Sequence, residues 1–146
     1  MTVVVAQNDP IIRNIQIVLD PDAPRDRFDA IADYFSVDIP EFTQWCEALR
    51  GRASKVWPAE FRMIDDQDDF IAALADADGA VVETFTVGEA ELEAAPHLKI
   101  VHKFGFDLRN IDLAACERRG VVVKLLTAQK IRVLFQDGEH MLAMGR

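Results

Sequence analysis

Hydrophobic and polar positions alternate along this chain in blocks of two kinds, short β-branched runs and longer stretches with apolar residues at helical spacing. The runs that predict strands are Ile15–Leu19 (in NIQIVLD), Phe61–Ile64, Ala80–Val82, Leu98–Val101 and Val121–Leu126. An earlier run, Val3–Ala6, predicts either an extra strand or a loosely attached extension over residues 1–13. Between the runs, residues 24–51 predict helix, broken in two by Pro40, with Trp45, Cys46 and Leu49 on one apolar face. Asp65–Asp69 offer N-caps for a helix that buries Phe70, Ile71, Leu74 and Ala75 and ends near Gly79. Thr86 with Glu89 predicts a capping box for the next helix, which stops before Pro96. Asn110 or Asp112 caps a further helix, with Arg118 and Arg119 at its negative end and Gly120 as its stop. A last helix is predicted from about Asp137.

Strands alternating with helices specify a parallel sheet covered on both faces. With right-handed crossovers the pattern predicts an α/β, flavodoxin-like, doubly wound sheet of about five strands in the order 2-1-3-4-5. At 146 residues, half of them apolar, a single domain over residues 14–136 is expected. In such sheets ligands sit at the carboxyl ends of the strands, here in loops beginning at Asp20, Glu83, Phe104 and Leu126.

Charge narrows the partners. Sixteen Lys and Arg against 25 Asp and Glu give a net charge of −9, which repels nucleic-acid backbones and anionic membrane surfaces. No apolar run is long enough to span a bilayer, and the start, MTVVVAQND, lacks the basic and apolar regions of a secretory signal. Cys46 and Cys116 have no CxxC partner and read as reduced thiols, so a cytoplasmic location is expected.

Several chemistries find no support. No two of the glycines at 51, 79, 88, 105, 120, 138 and 145 have the spacing of a dinucleotide loop, and no Walker A loop is present. The segment DPDAPRDR, placed after the first predicted strand, is acidic and without hydroxyls, unlike a flavin phosphate loop. A phospho-acceptor module would use Asp20 and Asp22, but Glu83 stands where its acceptor aspartate belongs, and Lys124 lies inside a strand rather than beyond it. His97, His102 and His140 form no catalytic dyad or metal set, and none of the three is assigned a role.

The stretch APHLKIVHKFGFDLRNIDLAACERRGVVV resembles a segment of the D-2-hydroxyacid dehydrogenases. Pro96, Leu98, Lys99, Ile100, Lys103, Gly105, Asn110, Ile111, Asp112, Ala115, Arg119, Gly120 and Val123 carry the match. ADADGAVVETFTVGEAELEAA upstream looks like the family's preceding strand, loop and helix. GEHMLAM downstream resembles the helix that leads into its nucleotide domain, so residues 137–146 would begin an interdomain helix. The resemblance implies the substrate-binding domain of an NAD-dependent oxidoreductase acting on a small 2-keto or 2-hydroxy carboxylate. It places that carboxylate on the amides of Gly105, Phe106 and Asp107, a glycine turn able to converge N–H groups on an anion. Glu83 and Thr84 would form a second wall.

The sequence also departs from the family. Asp107 replaces the second glycine of G-x-G, Arg109 stands at the motif's aspartate, and the usual turn after the last strand is replaced by LLTAQKIRVLFQD. The family's catalytic Arg, Glu and His and its nucleotide motif would lie beyond residue 146. The resemblance therefore implies no catalytic residue and no bound cofactor in this stretch, NAD(H) belonging to the partner domain, and no turnover by it alone. The alternative is a stand-alone module that binds a small carboxylate or self-associates. For self-association, Met141, Leu142 and Met144 of the last helix predict a homodimer contact.

Overall fold

The computed structural model describes residues 1–126. Five strands, β1 (Thr2–Gln7), β2 (Ala59–Ile64), β3 (Gly79–Val82), β4 (Ile100–Phe104) and β5 (Val122–Leu126), form one sheet in the order β2-β1-β3-β4-β5. Every pairing is parallel. The doubly wound α/β sheet and its strand order are those the sequence predicts.

The identity of the first strand is not. The run Ile15–Leu19 belongs to a helix, α1 (Ile12–Leu19), and Thr2–Gln7 is the strand. A five-residue apolar run cannot by itself separate a buried strand from a buried helix turn. Here the start of the chain decides it. Asp9 accepts from the N–H groups of Ile11 at 2.8 Å and Ile12 at 3.4 Å, satisfying two donors of the first turn beside Pro10. Ile12, Gln16, Ile17 and Val18 then fall on buried faces, between the sheet on one side and further helices on the other. Residues 2–7 are no extension: β1 pairs with β2 over its whole length and with β3 from Val4 to Ala6.

Alternation along β1 divides the core. Val4 and Ala6 pack with Ile12, Ala59, Phe61 and Val81 on one face, while Val5 packs with Phe70, Val82, Leu92 and Val101 on the other. The first face is covered by α1. A second layer lies over it, α2 (Arg25–Tyr34) and α3 (Phe42–Arg52), separated at Pro40 as predicted. Cys46, with Trp45 and Leu49, packs in that layer, and burial pushes the Cys46 thiol up to about 12, opposed by nearby Arg50. Arg50 also donates from Nε to the Val18 carbonyl at 2.7 Å, closing the end of α1. Asp20, expected in a ligand loop, is instead buried after α1. Its carboxylate accepts from Asp22 N–H and from Phe61 N–H, an edge-strand donor of β2.

The opposite face is covered by α4 (Gln67–Ala73), capped by Asp66, α5 (Glu89–Glu93) and α6 (Leu113–Arg118), capped by Asp112. The α5 start differs from the expected Thr86 box: Gly88 is the cap, and its N–H donates to the Glu91 carboxylate at 3.4 Å. Strand β4 begins two residues later than predicted, so His102 and Lys103 lie within it. Gly120, with φ +70°, ends α6 as expected. No helix among the described residues is long and apolar enough to cross a membrane. The loop after Leu126, the predicted final helix with His140, and the homodimer contact through Met141, Leu142 and Met144 lie outside the described residues.

Because β1 is bonded on both sides, removing residues 1–7 should abolish cooperative unfolding. Circular dichroism melts of the shortened chain check this, and a melt like that of the full chain would show β1 to be dispensable.

Candidate functional site

The chain leaves β1 toward β2 and then crosses back over β1 to β3, so strand order reverses between β1 and β3. At that point the loops after β1, β3 and β4 meet at the carboxyl edge of the sheet. The loop after β1 is Asn8–Ile11, not the segment at Asp20.

The loop after β3, residues 83–86, has no ladder of its own, so its backbone groups need side-chain partners. They find them in four residues. Gln7, the last residue of β1, accepts through Oε1 from the N–H groups of Glu83, Thr84 and Phe85 at 2.9, 2.9 and 3.0 Å. Its Nε2 donates to Thr84 Oγ1 at 2.7 Å. Gln67 at the start of α4 both accepts from Thr86 N–H at 2.8 Å and donates to the Thr86 carbonyl at 2.9 Å. Asn110 donates to the carbonyls of Glu83 and Phe85 at 3.0 and 2.7 Å. Buried Lys103 of β4 donates to the Glu83 carbonyl and, at 3.0 Å, to Asn110 Oδ1. The second wall, Glu83 and Thr84, is thereby a rigid element.

Gly105 follows β4 directly. Its φ of +107° is one that residues with a Cβ rarely adopt, and among the described residues the space a Cβ would take is met by Lys103 Cε at 3.9 Å. Phe106 next to it is 75% exposed, an apolar ring at the mouth of the cleft. Asp107 turns back onto Arg109: Oδ1 accepts from Arg109 N–H at 3.0 Å and Nε at 2.9 Å, and Oδ2 from Nη2 at 2.6 Å. The Arg109 guanidinium, with the Arg109 N–H second, holds the Asp107 carboxyl well below the usual carboxylate range. The pairing of these two departures from the family motif is thus explained locally.

Glu83 lies across the switch point from Asp9. Burial first, then hydrogen bonding with Asp9 and the Asp9 charge, raise its carboxyl above the ordinary glutamate value, with Lys103 opposing. The five predicted site residues lie on the loops of two neighbouring strands: Gly105, Phe106 and Asp107 after β4, Glu83 and Thr84 after β3. Gln7, Asp9, Gln67 and the bridging roles of Lys103 and Asn110 were not anticipated. A glutamine ending an apolar β-run (VVVAQ) was the available signal for Gln7; the others depend on which loops become neighbours. His102 lies within β4 rather than at its end.

This is an open, doubly wound parallel α/β sheet with a braced loop at its switch point and a glycine turn on the neighbouring strand. The profile of the D-isomer specific 2-hydroxyacid dehydrogenase catalytic domain matches residues 39–128, and the chain belongs to that family. It is 40% identical over 88 residues to the D-3-phosphoglycerate dehydrogenase of Mycobacterium bovis, and 39% over the same length to that of Mycobacterium leprae. Each match covers 58% of this chain but 16% of the relative, so the chain spans a small part of those proteins. The fold is that of part of the NAD+-bound 3-phosphoglycerate dehydrogenase of Entamoeba histolytica, with a TM-score of 0.51 and 20% identity over 89% of this chain and 34% of that one.

Two outcomes follow from the loop geometry. Gln7→Leu orphans three amide donors and should lower stability by about 1–3 kcal/mol in urea titrations, water recovering part of the loss; an unchanged midpoint would mean the bracing is immaterial. Glu83 has a raised folded-state pKa, so the folded state holds its proton more tightly and stability falls as pH rises from the unfolded value through the folded one. Glu83→Gln should therefore raise the melting temperature at pH 7, by less than about 1 kcal/mol in stability terms, and give no advantage below about pH 4.

Proposed function

We propose that this chain is the substrate-binding part of an NAD-dependent D-2-hydroxyacid dehydrogenase, holding the carboxylate of a small 2-keto or 2-hydroxy acid at the Gly105 turn. The observation that carries the reading is the left-handed glycine at the carboxyl end of β4, its Cβ side met among the described residues by Lys103 Cε at 3.9 Å, beside the braced loop of the neighbouring strand β3. The main-chain amides of Gly105, Phe106 and Asp107 are the carboxylate donors in this reading, as a turn of this kind concentrates N–H groups on an anion. Asp107 does not oppose the anion, because its carboxylate is already taken up by Arg109. Thr84 and Glu83 close the other side, and the Phe106 ring gives the substrate an apolar neighbour.

Hydride transfer needs a nicotinamide aligned within about 3–3.5 Å of the reacting carbon. The described residues do not suit that cofactor. The turn from β1 into α1, where a dinucleotide fold places its glycine-rich loop, is Asn8-Asp9-Pro10-Ile11, glycine-free and carrying a carboxylate. In this proposal a separate nucleotide domain supplies NAD and the proton-transfer residues, and the chain's own contribution is to bind and orient. The whole reaction is then a property of the two domains together.

The test is an amide-resolved NMR titration of the 146-residue chain with pyruvate and with D-lactate. Selective movement of the Gly105, Phe106 and Asp107 amide signals is the expected result; signals that stay fixed there at saturating acid would remove the reading. The same preparation should oxidise no NADH with pyruvate.

A further inference from the structure

The turn after β4 carries two large apolar side chains, and the fold treats them differently. Leu108 packs against the core cluster that holds Val82, Val101 and Ile111. Phe106 is 75% exposed, and among the described residues it is the one large hydrophobic left open in the loops after β1, β3 and β4. A single exposed apolar side chain is ordinary on a protein surface. This one is set apart by its place, directly after the left-handed Gly105 and inside the run of amides read as the carboxylate donors. The turn is also held before anything binds. Arg109 closes onto Asp107 through its N–H and its guanidinium, Ile111 N–H donates to the Leu108 carbonyl at 3.0 Å, and Val87 bridges to Ile111 from the β3 side. A ligand seated there has little backbone left to order.

Resting on the Gly105 reading, we infer that Phe106 is the specificity-determining residue of this cleft, selecting 2-hydroxy or 2-keto acids whose tail is apolar, aromatic or branched aliphatic. Covalent geometry puts the ligand's tail beside it. An oxygen accepting from the Phe106 N–H stands about 2.9 Å from that nitrogen. Phe106 Cβ is two covalent bonds from the same nitrogen, about 2.5 Å away. The carboxylate oxygen is thus at most about 5.4 Å from Cβ, whichever way the ring is turned. Rotation about χ1 alone can then bring the ring against the carbons attached to that carboxylate. A methyl tail covers little of a phenyl face. A phenyl tail packs on it offset or edge-on, an arrangement stronger than its buried area alone explains. Phenylalanine has only two side-chain torsions to fix, so the contact loses little conformational freedom.

D-lactate and D-3-phenyllactate differ only in a phenyl group on the tail carbon and make a matched pair. Their affinities for the wild-type chain, read from the Gly105–Asp107 amide signals at pH 7.5, should differ by about tenfold in favour of D-3-phenyllactate. Phe106→Ala should bring that ratio down to about twofold or less, and Phe106→Trp, which keeps an aromatic face, should preserve it. Because the ring is largely exposed, neither replacement removes core packing. A ratio near one in the wild type, with both acids moving those signals, overturns the inference and leaves the Gly105 reading intact. A preference that survives in Phe106→Ala overturns the role of Phe106. Benzyl alcohol, a ring without a carboxylate, should leave the three amides where they are; if it moves them as D-3-phenyllactate does, selection of an anchored tail is wrong. If neither acid moves the signals, the Gly105 reading itself fails and the inference goes with it.

Discussion

The side-chain amide of Gln7 is the interaction on which the site depends. A loop leaving a short central strand at a sheet edge has backbone donors with no ladder to join, and burying them unsatisfied costs about as much as a lost hydrogen bond for each. Gln7 meets three of them with a single oxygen and reaches the Thr84 hydroxyl with its nitrogen. It can do so because β1 is central: its carboxyl end lies beside that of β3, where strand order reverses. Asn110 and Lys103 do the same for the loop's carbonyls from the β4 side. The two halves of the cleft are thus locked to one another through the loop between them.

That arrangement explains which parts were readable in the sequence. Sheet, strand order, the Pro40 break, the Asp66 and Asp112 caps and the Gly120 stop follow from periodicity and local chemistry, and the structure has them. The exchange of β1 for α1 shows the limit. Val3–Ala6 and Ile15–Leu19 are both short runs rich in β-branched residues, and the cap at Asp9 and the pairing of β1 on both sides tell them apart. Placing the first strand too late then moved its loop to Asp20, a buried residue that serves the β2 edge.

The site was half legible for a related reason. Gly105, Phe106 and Asp107 are contiguous, so a motif records them. Glu83 and Thr84 were expected as a second wall because they follow the neighbouring strand β3, whose loop opens at the same sheet edge. Gln7 and Gln67 act on residues 19 or more positions away, through contacts that no local pattern encodes. Lys103 was visible within the motif, but its bridging role requires β3 and β4 to be neighbours in register, Val82 opposite Lys103.

The substitution of aspartate for glycine at 107 looks at first incompatible with an anion site in so acidic a chain. The geometry removes the conflict, because the turn supplies its own counter-ion two residues on. Arg109 meets Asp107 through backbone and guanidinium together, and the pair as a unit carries no net charge to repel a carboxylate. Each replacement alone would damage the turn: an unpaired carboxylate would oppose the anion, and an unpaired arginine at the rim would compete for it. Together they leave the field at Gly105 to its main-chain amides.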